Sequence, residues 1–103
     1  MFARVTLLEI DTLRISVDDA LKLFEEGVMP GLREQAGYLG VYAMATPEGK
    51  ALLMSFWETA EEAETTENTW YTGVLEEYMT IFRSQPGRAS YDVRLAEPPL
   101  EPD

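Results

Sequence analysis

Three of the four strand-like segments in this chain carry large apolar side chains on both faces, and this pattern restricts the fold strongly. Side chains alternate between the two sides of a strand, so each face can be read from the sequence. In the segment from residue 52 to 57, one face receives Leu52, Met54 and Phe56, and the other receives Leu53 and Trp57. The helices that 103 residues can supply cover one face of such a sheet. We therefore expect a second copy of the chain to cover the other face, as in a homodimer.

Periodic patterns along the chain predict the order strand, helix, strand, strand, helix, strand. The predicted strands run from Phe2 to Ile10, Tyr38 to Ala45, Ala51 to Glu58 and Ser90 to Ala96. The two helical regions are predicted to begin after the capping residues Ser16 and Thr59. Right-handed crossovers fold this order into an α+β, ferredoxin-like βαββαβ antiparallel sheet with the helices on one face.

Finer features of these elements are also predicted. Gly27 and Pro30 should break the first helix, since proline lacks a backbone donor and disfavours helical geometry before it. Residues 65–69 form helices poorly, so the second helical region is expected to be interrupted. Residues 46–49 are predicted to form a hairpin turn between the second and third strands. The second strand should place Tyr38, Tyr42 and Met44 on one face, and the last strand Tyr91, Val93 and Leu95. The one-sided last strand is typical of a sheet edge.

Composition excludes several classes of function. Cysteine and histidine are absent, which removes thiolate nucleophiles, disulfides and the usual protein ligands of zinc and haem. Nineteen acidic residues against eight lysines and arginines give a net charge of −11, which disfavours nucleic acid as a partner. The acids do not form a calcium loop, so no metal is predicted. Glu61, Glu62, Glu64 and Glu67 are instead expected to cover a solvated helix face.

The chain is expected to form one domain over residues 1–96, since its length is near the commonest domain size. Residues 97–103 are an acidic, proline-rich C-terminal tail, expected to be extended unless Leu100 docks on a partner chain. No stretch approaches the roughly 20 apolar residues of a membrane helix, and the N-terminus shows no secretory signal. We therefore expect a cytoplasmic protein with no membrane partner.

Three short motifs lie in the second and third strands and the turn between them. They are Gly37-Tyr38-Leu39-Gly40-Val41-Tyr42, Thr46-Pro47-Glu48-Gly49-Lys50 and Phe56-Trp57-Glu58-Thr59. With these motifs the chain resembles the antibiotic biosynthesis monooxygenase-like family of dimeric α/β barrels, from the first strand to Leu95. The resemblance implies two sheets packed face to face across a dimer, with a pocket in each subunit between its sheet and its helices.

The resemblance also implies a reaction, the oxidation of a phenolic, anthrone-like or quinol substrate without a cofactor. Oxygenases of that family often use an asparagine, a tryptophan and sometimes a histidine or arginine. The tryptophan is matched by Trp57, whereas the first-strand positions of the asparagine hold residues such as Thr6 and Leu8. The sole asparagine is Asn68, in the second helical region. Because histidine is absent, binding of haem in the manner of the haem-degrading relatives is not expected.

Six residues are candidates for the pocket and four for the dimer interface. The pocket candidates are Phe24, Arg33, Trp57, Trp70, Tyr71 and Tyr78, and the interface candidates are Tyr42, Leu53, Met54 and Phe56. For Trp57, Trp70 and Tyr78 the alternative to a ligand contact is ordinary core packing. Arg33 follows the break in the first helix and could hold an anionic oxygen, with a surface ion pair as the alternative.

Two functions remain open on the sequence alone. The first is a small cofactor-independent monooxygenase, an oxidoreductase whose base would be a tyrosine, an acid or the substrate itself. The second is a non-catalytic homodimer that binds a small hydrophobic or aromatic ligand or serves in a stress response. An RNA binder or metal chaperone of the same fold would need exposed aromatics among basic residues, or paired cysteines, and the sequence has neither.

Overall fold

Four strands form one antiparallel sheet in the computed structural model, which describes residues 1–84 and 86–97. The strands are β1 (Phe2–Glu9), β2 (Tyr38–Ala45), β3 (Lys50–Trp57) and β4 (Gly87–Asp92), in the spatial order β2-β3-β1-β4. This is the order of a ferredoxin-like sheet, so the predicted α+β fold is confirmed. Of the predicted C-terminal tail, residues 98–103 lie outside the described residues.

The helices are short and lie on one face of the sheet. They are α1 (Val17–Gly27), α2 (Met29–Arg33), α3 (Ala60–Thr66) and α4 (Thr72–Glu77), with a π-helical turn at Glu67–Tyr71 and a 3₁₀ turn at Met79–Ile81. Ser16 Oγ accepts from Asp19 N at 3.1 Å and Thr59 Oγ1 accepts from Glu62 N at 3.1 Å, which confirms both predicted N-caps. The first helix breaks at Val28, and the second region is interrupted by the π-helical turn between α3 and α4.

The core lies between the helices and the sheet in two clusters. One contains Val28, Leu32, Trp57 and Ala63, and the other contains Ile10, Ala20 and Ala51. Leu53 is 6% exposed on this helix-covered face, whereas its strand neighbours Met54 and Phe56 point to the other side. Strict alternation along β3 therefore removes Leu53 from the predicted dimer interface.

The opposite side of the sheet, which we call the open face, is apolar, and no described helix packs on it, although residues 93–97 border it beside Tyr42 and Phe56. It carries Leu7, Tyr42, Met44, Leu52, Met54, Phe56 and Tyr91. Tyr42 is 40% exposed, Met44 50% and Tyr91 57%. Tyr42 meets Phe56 edge to face, with ring centroids 6.0 Å apart. Three of the four interface candidates, Tyr42, Met54 and Phe56, thus lie on the open face.

Two strand predictions are wrong, one in register and one in its bounds. A bulge between Tyr38 and Gly40 adds one residue to β2, so Tyr38 pairs with Trp57 on the helix side while Tyr42 lies on the open face. The predicted common face of Tyr38 and Tyr42 is therefore incorrect. β4 begins at Gly87 and ends at Asp92, earlier than the predicted 90–96, because its antiparallel pairing with β1 stops at Phe2, the first residue of β1.

Within residues 1–84 and 86–97, no helix combines the length and apolarity that crossing a membrane requires.

A close approach of Trp70 to α2 makes Gly31 sensitive to substitution. A methyl group at Gly31 would collide with the indole of Trp70, whereas a methyl group at Gly73 in α4 meets no heavy atom within 4 Å. We expect Gly31→Ala to lower the free energy of unfolding by about 1–3 kcal/mol. Gly73→Ala is the matched control and should raise it by about 0.4–1 kcal/mol. Urea denaturation measures both, and equal effects of the two substitutions would contradict the close packing of Trp70 on α2.

Candidate functional site

An ion-pair cluster built on the buried carboxylate of Glu67 joins the second helical region to the sheet. Glu67, the first residue of the π-helical turn, is 9% exposed, and its carboxylate meets two guanidinium groups. Arg88 Nη1 donates to Glu67 Oε1 at 2.7 Å, and Arg4 Nη2 pairs with Glu67 Oε2. We call Arg4, Glu67 and Arg88 the arginine–glutamate cluster. The cluster has two cations and one anion, and the negative charge of Glu64 on α3 also acts on Arg4.

Strand register brings the two arginines together. In the pairing of β1 with β4, Arg4 lies opposite Ser90 and Thr6 lies opposite Arg88. Residues two apart on a strand share a face about 7 Å apart, so Arg4, Thr6 and Arg88 all point towards the helices. Arg4 also donates through Nη1 to Ser90 Oγ. Each arginine therefore reaches the helical layer from a different strand.

The π-helical turn presents Glu67 to these arginines. Thr72 Oγ1 donates to the Glu67 carbonyl oxygen at 2.9 Å, across the five-residue spacing of the turn, and Arg88 Nη1 lies 3.2 Å from Thr72 Oγ1. Single π-helical turns occur often at functional sites, since they re-aim side chains that an α-helix would place elsewhere. The cluster and the turn thus mark this region as the candidate site.

Tyr71 lies beside the cluster and stays protonated at neutral pH. Burial raises the pKa of the Tyr71 phenol above its ordinary 10.0, and a hydrogen bond with Thr6 and the charge of Arg88 oppose this shift only in part. Burial also lowers the pKa of Arg4, with a smaller contribution from the charge of Arg88 and an opposing one from Glu64. A guanidinium remains charged at neutral pH. The site therefore offers a neutral phenol, two guanidinium groups and one carboxylate.

A small apolar cavity lies between the helices and the sheet. It has a volume of about 50 Å³, and its lining includes Phe24, Leu53, Leu75, Tyr78 and Ile81. Sites for drug-sized ligands occupy roughly 300–1,000 Å³, so an aromatic ligand requires the helices to move away from the sheet. Of the six predicted pocket residues, Phe24 and Tyr78 lie on this cavity.

The other four pocket candidates have separate environments. Trp57 is 3% exposed in the core, where its Nε1 donates to Ser55 Oγ at 2.9 Å and its ring lies 5.7 Å from that of Tyr38. Trp70 packs on Gly31, and Tyr71 lies beside the cluster. Arg33 is exposed at the end of α2, away from the cavity. The predicted set is therefore split between the core, the cavity, the cluster and the surface.

Glu67 corrects the predicted solvated acidic face. It lies three residues before Trp70 and four before Tyr71, on the helical stripe that faces the sheet, and it is buried rather than solvated. The spacing of Glu67 from Trp70 and Tyr71 was the sequence signal for its burial. A carboxylate is stable in such a buried position only when cations pair with it, and the sequence did not show which cations would do so. Among the described residues, no three acidic side chains come together as a metal-ion site requires.

Solved structures share this fold over nearly the whole chain. A monooxygenase of Streptomyces coelicolor, solved with nanaomycin D, is 20% identical with a TM-score of 0.72, over 96% of this chain and 92% of that one. SnoaB, a cofactor-independent oxygenase of Streptomyces nogalater, is 6% identical with a TM-score of 0.74, over 95% and 97% of the two chains. A Nitrosomonas europaea protein of unknown function is 15% identical with a TM-score of 0.74, over 97% and 95%.

No protein-family model matches the sequence, and no curated protein matches it. At these identities the likeness concerns the fold of the single chain, and it confirms the ferredoxin-like α+β fold that the resemblance to antibiotic biosynthesis monooxygenase-like proteins implied.

Removing the carboxylate of Glu67 should destabilise the fold, because two guanidinium groups would then face each other without a counter-charge. We expect Glu67→Gln to cost about 2–3 kcal/mol, somewhat less than for a fully buried pair, since the arginine side chains are about one quarter exposed. Glu64→Gln, at an exposed position on α3, should change stability by less than about 0.5 kcal/mol. Urea unfolding of both variants at pH 7 is the measurement. A loss below 0.5 kcal/mol for Glu67→Gln would contradict the pairing.

Proposed function

We propose that the protein is a cofactor-independent oxygenase that oxidises a small phenolic, quinol-like or anthrone-like aromatic between its helices and its sheet. The observation that carries the proposal is the arginine–glutamate cluster, held beside the protonated phenol of Tyr71. The shared fold with SnoaB and with the monooxygenase solved with nanaomycin D supports the choice of reaction. The residues that would act are Arg4, Glu67, Tyr71 and Arg88.

The roles follow from the charges of these groups. Glu67 is the carboxylate in reach of the site and accepts the first proton from the substrate, giving a carbanion or phenolate. Arg4 and Arg88 stabilise the resulting oxyanion, since guanidinium groups bind anionic oxygen strongly where water is excluded. Tyr71, kept neutral by burial, donates a proton to the reduced oxygen.

The overall reaction balances without an added reductant. For an anthrone-like substrate, the methylene carbon loses both hydrogens, gains one oxygen atom of O₂ as a ketone, and the second oxygen atom leaves as water. The electrons for oxygen reduction come from the substrate carbanion itself. The chain therefore needs to supply a base, an anion-stabilising group and a site that excludes water. Glu67 and the two arginines are the side chains proposed for the first two roles, and the third requires the bound substrate itself to displace water from the partly exposed arginines.

A second function is favoured by the small volume of the cavity. At about 50 Å³ it is closed to an aromatic ring, and Glu67 already has two cationic partners. These features suit a non-catalytic homodimer that binds a small hydrophobic ligand only after opening, or that serves in a stress response. The two functions differ in a single observable, the consumption of oxygen in the presence of substrate.

We also propose that the functional unit is a homodimer joined through the open face. Obligate homodimer interfaces bury roughly 2,000 Å² or more and resemble a domain core cut in half, and the open face is apolar with few charges. Isolated monomers would expose this face to water and to aggregation. The cytoplasmic location stays a prediction from the sequence.

Oxygen uptake tests the enzymatic proposal. Purified protein, stripped of metals by chelation and given anthrone or a quinol in aerated buffer, should consume oxygen in proportion to the ketone or quinone formed. Tyr71→Phe should lower kcat about 10²-fold, because it removes the proposed proton donor. Tyr91→Phe, an exposed tyrosine on β4, is the matched control and should keep full activity. No uptake across a panel of anthrones and quinols, with specific binding retained, would favour the non-catalytic function.

Charges placed on the two faces of β3 should have different consequences. Phe56→Asp, on the open face, should abolish the dimer, so that light scattering no longer detects the particle of twice 11.6 kDa that the unsubstituted chain should form. Leu53→Asp should unfold the chain, because it buries an unpaired charge beneath the helices. Leu13→Asp, at a side chain 91% exposed, should leave both properties unchanged. A monomeric unsubstituted protein would contradict the proposed dimer.

A further inference from the structure

The apolar cavity between α1 and the sheet is distinct from the arginine–glutamate cluster. Its lining is apolar apart from the phenol of Tyr78, and none of the four residues proposed to act in the reaction belongs to that lining. Leu23, on the same lining, is 38% exposed, so the cavity borders the molecular surface there. The cavity is therefore a second space at the site, with a chemistry of its own.

Strand register places this cavity next to Tyr71. Leu53, on the lining, is the direct partner of Thr6 on β1, and Thr6 meets the phenol of Tyr71. Directly opposite residues of two strands have Cβ atoms only about 4.5–5.5 Å apart. Leu75, also on the lining, lies four residues after Tyr71 and thus on the same side of the helical segment. The cavity adjoins the phenol that is proposed to protonate the reduced oxygen.

The size of the cavity selects among possible occupants. Its volume of about 50 Å³ is one third of that of an apolar cavity of about 150 Å³ that binds benzene or xenon. An aromatic ring is therefore too large for the cavity as it stands. A molecule of two atoms fits without any movement of the helices.

The polarity of the lining disfavours water as that occupant. A buried water molecule needs two to four polar partners, and Tyr78 is the one lining residue with a polar side chain. The hydroxyl of Tyr78 lies close against Gly27 of α1. An apolar gas needs no hydrogen bonds, and it gains dispersion contacts with the surrounding side chains. Size and polarity together favour a small apolar molecule.

We infer that the apolar cavity is a binding site for dioxygen, beside the arginine–glutamate cluster at which the aromatic substrate would react. The inference deepens the proposed function and rests on it for the identity of the gas. It assigns the two substrates to two adjoining spaces. Because tiny ligands gain limited free energy per atom, a two-atom gas binds with a Kd of about 5 mM or weaker, and its binding is best measured under pressure.

The experiment records methyl NMR spectra of the full-length protein under dioxygen pressure, with nitrogen at the same pressure as the baseline. Dioxygen is paramagnetic, so it speeds the relaxation of methyl protons close to it. We expect this enhancement at Leu53 and Leu75 to be several times that at Leu32, which is 2% exposed but lies off the lining, and at Leu13, which is 91% exposed. Equal enhancement at Leu53, Leu75 and Leu32 would overturn the site.

Filling the cavity gives a second test. Ala51→Val adds two carbons to a lining residue, and Ala43→Val, at an exposed position of β2 off the lining, is the matched control. Ala51→Val should abolish the enhancement at Leu53 and lower kcat/KM for oxygen about tenfold, with the KM for the aromatic unchanged. Ala43→Val should change none of these quantities. Cooperative urea unfolding checks that both variants are folded.

Benzene distinguishes a gas site from a pocket that opens for the aromatic substrate. Near its solubility limit, benzene should leave the methyl shifts of Leu53 and Leu75 unchanged. Shifts induced by benzene would overturn the assignment, because the cavity would then take the aromatic itself.

The relaxation measurement needs no turnover, so its outcome is separate from that of the oxygenase proposal. Dioxygen in the cavity without oxygen uptake would keep the gas site and remove the enzyme. Oxygen uptake with no enhancement at the cavity would keep the enzyme and remove the gas site.

Discussion

The pairing of Glu67 with two arginines decides where the second helical region lies on the sheet. A carboxylate that is 9% exposed is tolerated only when cations meet it, and here they come from β1 and from β4. The π-helical turn is therefore held at one place above these two strands. Tyr71, in the last position of the same turn, is brought to Thr6 on β1 as a consequence. One set of charges thus connects the packing of the helices with the chemistry available beneath them.

The two faces of the sheet differ in what they carry. The covered face holds the core, the apolar cavity and the cluster, whereas the open face holds apolar side chains and, at one end of the β1–β3 pair, Glu9 opposite Lys50. Most of the net charge of −11 comes from acids on the helices, on the other side of the molecule. Repulsion between two acidic chains is accordingly weak where their open faces would meet, since the charges lie far apart and are screened. A highly acidic surface and self-association through the sheet are compatible for this reason.

Much of the fold follows from local sequence, and the errors have identifiable causes. Side-chain alternation along β3 and the Ser16 and Thr59 caps depend on neighbouring residues alone, and these predictions agree with the structure. The predicted break of the first helix is also present, but it falls at Val28, and Pro30 lies within α2. The bulge in β2 could have been suspected from Gly40 within the strand, but its position depends on pairing with β3. The end of β4 at Asp92 coincides with the first residue of β1, Phe2, its pairing partner. Glu67 was misplaced because its burial depends on Arg4 and Arg88, which are 63 and 21 residues away in the sequence.

The most direct test of the central pairing is a double-mutant cycle between Glu67 and Arg88. The free energy of unfolding is measured for the unsubstituted chain, for Glu67→Gln, for Arg88→Gln and for the double variant. A parallel control cycle combines Glu67→Gln with Arg83→Gln, since Arg83 is exposed. The pairing predicts a favourable coupling energy of about 1.5–3 kcal/mol between Glu67 and Arg88 and none between Glu67 and Arg83. A coupling energy near zero for both pairs would contradict it, because the helical layer would then be held on the sheet by apolar packing alone.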